Sequence, residues 1–101
     1  MFEEVYSNGI GIMKSITNVT EDEIRNSRKN TPSFVRGILM WDMRENQGIP
    51  LCEVCKATNR SHTTCIKLIN NVKVVIRRKK PLAMYGLVNK FLFHKYKGAK
   101  I

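Results

Sequence analysis

The stretch Ile66–Lys80, IKLINNVKVVIRRKK, decides how this sequence is read. Two runs rich in β-branched residues, Ile66–Ile69 and Val72–Arg77, flank the pair Asn70-Asn71. Asparagine tolerates the positive φ that a two-residue turn demands, so the pattern predicts a β-hairpin. Its faces are mixed. With Ile69 opposite Val72, Lys67 shares a face with Val74, and the register stays open. Downstream, Lys80-Pro81 predicts the start of a helix that runs to about Tyr96 and stops at Gly98. On a helical wheel Leu82, Tyr85, Val88, Leu92 and Tyr96 fall on one side, and Lys90, His94 and Lys97 fall opposite. That helix is expected to pack on the hairpin and turn a basic stripe outward.

Upstream of the stretch lie Cys52-Glu-Val-Cys55, six residues, and then His62-Thr-Thr-Cys65. Zinc takes four soft or borderline ligands in a tetrahedron, and Cys3His is a common set. A C-x2-C pair on a tight turn presents two sulfurs, and the loop Lys56–Ser61 carries turn-favouring residues that bring the second pair back. Cys52, Cys55, His62 and Cys65 are therefore the candidate metal ligands and Zn the expected cofactor. The span resembles that of retroviral zinc knuckles, with the histidine placed later. Two competing readings are three unliganded cysteines and a redox C-x2-C pair. The latter lacks the strand-then-helix context of a thioredoxin-like motif.

The front half reads as helical. Ser7-Asn8-Gly9 between Phe2–Tyr6 and Ile10–Ile16 predicts a short hairpin or a loosely held arm. Thr20 with Glu23 forms a capping-box signature, with Glu21 and Asp22 where the helix dipole favours acids, so a short surface helix is expected from Glu21 to Arg28. Thr31-Pro32 predicts a second helix start, with Phe34, Val35, Ile38 and Leu39 at helical spacing, and Gly48 and Pro50 to end it near Glu45. Trp41 and Met43 on it are expected in the core rather than in a partner groove. The whole is read as a single α+β domain, with a helical front half (1–50) and a back half (51–101) holding a Cys3His zinc-knuckle-like site, the β-hairpin and a basic C-terminal helix, about three helices in all.

Charge points to the partner. The 101 residues carry 18 Lys and Arg against 8 Asp and Glu, for a net charge of +10. The imbalance lies in the back half: after Glu53 no carboxylate side chain occurs. Such a stretch repels itself and favours a polyanion, so nucleic acid is the expected partner, RNA ahead of DNA. The candidate contacts are Lys56, Arg60, Lys67, Lys73, Arg77, Arg78, Lys79, Lys80, Lys90 and Lys97. Phosphate contacts through them would release condensed counterions and bind with little sequence preference. The composition resembles that of the cysteine-rich nucleic-acid-binding proteins of small plant RNA viruses. Those place the arginine-rich run ahead of the cysteines, whereas Arg77–Lys80 follows them here. A rival reading is a protein-interaction adaptor docking through the 32–45 helix, and another is a ribonucleoprotein subunit.

Other classes drop out on motif grounds. No run of 18 apolar residues exists to cross a membrane. The acidic start MFEEVYSNGIGIMKS lacks a signal-peptide core, so a cytoplasmic or nuclear protein is expected, not a secreted one. The base-deaminase pattern lacks its H-x-E, a nuclease of the HNH type lacks histidines, and neither P-loop nor dinucleotide fingerprint occurs. A binding protein, not an enzyme, with no small-molecule substrate, is the expectation.

Overall fold

Between His62 and Arg78 the buried side chains are Cys65, Leu68, Ile69, Val72 and Val75, which recur at helical spacing. In the computed structural model, which describes residues 2–97, this stretch is one continuous helix. The elements in order are α1 (Glu3–Ile16), α2 (Glu21–Asn26), α3 (Asn30–Trp41) continuing into a π-helical turn (Asp42–Asn46), α4 (Leu51–Thr58), α5 (His62–Arg78) and α6 (Leu82–Tyr96). No strand occurs among the described residues. The expected α+β class and its hairpin over 66–77 are therefore corrected: the fold is all-helical. The cause is a contest between local preference and burial. A β-branched residue in a helix costs up to about 0.7 kcal/mol relative to alanine. Sinking a Leu, Ile or Val side chain into a core returns about 1.5–3 kcal/mol. Ser61 caps the helix by accepting from the Thr64 N–H, and Asn70-Asn71 sit on its exposed side.

The expected hairpin or arm at residues 2–16 is also corrected. Tyr6, Ile10 and Met13 lie on one face of α1 and are buried. Gly9 lets α1 lie close on α3: a Cβ there would stand 2.8 Å from Leu39 Cδ2. The α2 capping box forms as expected, Thr20 and Glu23 exchanging hydrogen bonds of 3.0 and 3.2 Å, and Ile24 is fully buried. α3 starts at Asn30, two residues before Pro32, and Trp41 and Met43 belong to the core.

α3 and α5 form the centre. At Gly37 a Cβ would meet the Leu68 carbonyl oxygen at 3.1 Å and Val72 Cγ2 at 3.3 Å, so glycine sets how near the two helices lie. α6 lies against α1 and touches α5, there being no hairpin for it to cover. Val88, Phe91 and Leu92 carry that packing. Leu82, expected inside, is 78% exposed, while Lys90, His94 and Lys97 are exposed as expected. Gly98, the expected stop, lies outside the described residues.

One polar knot ties α6 to the rest. Asp42, buried at the start of the π-helical turn, receives Asn46 Nδ2 and Gln47 Nε2 at 2.8 Å, Lys95 Nζ at 2.6 Å and Tyr96 Oη at 2.8 Å. A buried carboxylate is tolerated only when its oxygens are satisfied in this way. Burial, and then the hydrogen bond and charge of Asp42, hold the Tyr96 phenol protonated well above its ordinary range. An unfolded tyrosine ionises near pH 10 while the folded one stays neutral, so the folded state loses stability as pH rises above about 10. The melting temperature is expected to fall above pH 10, and less steeply in Tyr96→Phe, as read by circular dichroism across pH 8–12. Parallel pH profiles for the two proteins would remove Tyr96 from this role.

Candidate nucleic-acid interface

α4 and α5 are joined by three residues, Asn59, Arg60 and Ser61. Asn59 adopts the left-handed region (φ 55°, ψ 49°), which asparagine tolerates better than most side chains, and this ends α4 abruptly. Ser61 starts α5 at once. Val54, Cys55 and Ala57 of α4 face Cys65, Leu68 and Ile69 of α5 within one core, to which α3 adds its own apolar face. A short helix, a three-residue turn and a longer helix backed by a third follow the element order of a helix-turn-helix.

The exposed half of α5 is the notable surface. Taking 100° per residue from His62, the arc of 0–180° holds His62, Lys73, Ile66, Arg77, Asn70, Thr63, Val74, Lys67, Arg78 and Asn71 in angular order. All but Val74 are exposed, Val74 is half-buried, and none is acidic. The first turns offer polar and small groups that can address base edges: His62, Thr63 and Asn70, with Lys67. Ile66, 46% exposed, adds an apolar contact beside them. The last turns offer Arg77 and Arg78. Asn70, Ile66 and Thr63 carried no signal under a hairpin reading; the trace that could have found them is Asn59 followed by the cap Ser61, two helix boundaries two residues apart.

The sequence-derived basic residues divide by location. Lys67, Lys73, Arg77 and Arg78 share α5, with Lys79 and Lys80 just past its end. Lys73 is within 3.4 Å of the Glu45 carboxylate, and Lys56 on α4 is within 3.7 Å of Glu53. Exposed pairs of this kind contribute roughly 0–1 kcal/mol and leave both lysines free to exchange partners. Arg60 is half-buried in the turn, donating to the Arg25 and Asn59 carbonyls. Lys90 lies elsewhere: it borders a shallow groove with Ser15 and Ile16 of α1 and Phe93 and His94 of its own helix. Lys97 caps the end of α6.

The Cys3His site is corrected. Among the described residues no three His, Cys, Asp or Glu side chains converge so as to hold a metal ion. Cys52 and His62 are exposed, and with Cys55 they border one shallow surface pocket that Lys56 and Arg60 also line. Cys65 is fully buried behind it, its Sγ 3.9 Å from Thr58 Oγ1. The reason is helical geometry. In Cys52–Cys55 and His62–Cys65 the second residue lies on the core stripe and the first faces solvent, so these spacings serve amphipathic helices rather than a ligand loop. Burial, then the neighbouring Cys55 thiol, pushes the Cys65 thiol up to about 12. Comparison with known protein families, with curated proteins and with solved structures finds no match for this chain.

Thiol accessibility checks this arrangement. One thiol, Cys52, is expected to react rapidly with an aromatic disulfide reagent in the native protein. Cys55 and Cys65 are expected to react only on unfolding, since thiolate character and access control the rate. Three fast thiols would contradict the packing of α4 on α5.

Proposed function

We propose that this chain binds double-stranded DNA, laying α5 in the major groove, and that it acts by binding rather than catalysis. The observation that carries the reading is the exposed arc of α5, free of acids and mounted on a helix-turn-helix. A B-form major groove, about 12 Å wide, accepts an α-helix of about 10–12 Å diameter. Phosphates on either side then meet the cations along the helix, while its first turns reach base edges. Asparagine pairs in two places with adenine, and an apolar side chain contacts the thymine methyl, so Asn70 and Ile66 favour A·T steps.

This departs from the expectation of RNA. A rigid helix cannot enter the deep, narrow major groove of A-form RNA, and single-stranded recognition calls for stacked aromatics. α5 carries no aromatic ring apart from His62. The adaptor reading needed Trp41 and its neighbours on the surface, and both Trp41 and Met43 are buried.

Fluorescence anisotropy with a 20-base-pair random-sequence duplex, the matching RNA duplex and a single strand tests the proposal. The DNA duplex is expected to bind tightest. Changing Lys67, Arg77 and Arg78 together to Ala should flatten the slope of log K against log salt by up to about 2.7, at about 0.9 per lost phosphate contact. Equal or tighter binding of the RNA duplex, or an unaltered slope, would overturn the reading.

A further inference from the structure

Arg36 is a charged residue of α3 that the core almost completely encloses, at 4% exposure. Its guanidinium donates to the carbonyl oxygens of Ile24 and Ser27 at 2.8–3.1 Å and so pins the α2–α3 corner. Its Nε finds no acceptor. Neither Arg36 nor Arg60 has a carboxylate within 4 Å among the described residues. The two cations oppose each other instead: burial, and then the charge of Arg60, draws the Arg36 guanidinium below its ordinary range. A buried positive charge facing a second one is costly, and an anion relieves both.

The space for that anion is a groove between the α2–α3 corner and α5. It is lined by Arg28, Ser33, Arg36, Arg60, Lys67 and Asn71, among others, and by no acidic side chain. Lys67 and Asn71 stand on the edge of the exposed arc of α5, so the groove runs alongside that arc. A helix seated in a major groove fills it from wall to wall, and the walls are phosphates. We propose that this groove takes a backbone phosphate of the strand flanking α5, held by Arg28, Arg60 and Lys67 over the fixed charge of Arg36. The inference rests on the DNA-binding reading and adds a second anchor that reaches, through Arg28, beyond the two helices of the motif. Arginine forks suit a phosphate diester, whose two free oxygens accept paired N–H bonds. An anchor of this kind fixes the rotation of α5 in the groove and so chooses which side chains meet base edges.

Arg28 gives the clean test, because it is exposed and lies outside the helix-turn-helix. Anisotropy titrations with the random-sequence duplex at several salt concentrations compare the unaltered protein with Arg28→Gln and Arg60→Gln, each first checked by thermal melt. Arg28→Gln should leave the melt unchanged, weaken binding of the duplex and flatten the salt slope by up to about 0.9, the value of one phosphate contact. A normal slope in both variants, with the unaltered protein still binding the duplex, overturns the groove and spares the reading of α5. Failure of the unaltered protein to bind the duplex overturns that reading and the groove with it. A third arm titrates inorganic phosphate alone, followed by amide NMR shifts. Saturable shifts at groove residues together with an unchanged slope in Arg28→Gln would assign the groove to a free phosphorylated compound and overturn the backbone assignment.

Discussion

The close approach of α3 to α5 at Gly37 is the constraint on which the rest of the molecule depends. With no side chain at residue 37, the backbone of α3 comes within reach of the Leu68 carbonyl. That contact sets Gly37 of α3 against Leu68 and Val72 of α5, and it fixes which half of α5 is left to solvent. Everything ascribed to the surface of α5 follows from that rotation. A turn of the helix by one residue position, 100°, would sink Lys67 and Asn71 into the core and raise Cys65 and Ile69 to the surface.

Two polar devices then hold the outer elements to this pair. Asp42 gathers four donors, two from its own turn and two from α6, and so fastens the last helix to the end of α3. Arg36 fastens the α2–α3 corner through backbone carbonyls. The first is a carboxylate fully met by donors, one of them a lysine. The second is a cation without a carboxylate. The contrast is informative because the fold satisfies its buried anion from within, and its buried cation only in part. The same deficit runs through the whole chain, with 18 basic and 8 acidic residues.

Some of this was legible in the residues and some was not. The α2 capping box was legible because it is a local exchange between Thr20 and Glu23, complete within four residues. The core role of Trp41 and Met43 was legible from helical spacing. The hairpin reading of 66–77 failed because Asn70-Asn71 and six β-branched neighbours are local signals, whereas the contact that overrules them comes from α3, some thirty residues earlier. The Cys3His arrangement failed for a related reason: pairs spaced i, i+3 fit a metal loop and an amphipathic helix equally, and only the tertiary core tells them apart. The cations of α5 were found by charge alone, before their helix was known. Arg28 and Arg36 were missed because they lie in the balanced front half, and only the fold carries them beside α5.

The central claim is that the solvent half of α5 meets DNA. Amide NMR shift mapping during titration with a short duplex tests it directly, since the readout is residue by residue. The largest changes are expected at His62, Thr63, Ile66, Lys67 and Asn70, with smaller ones at Arg77 and Arg78. Changes gathered instead on α1 and the outer face of α6, around Ser15, Lys90 and His94, with α5 unmoved, would contradict it.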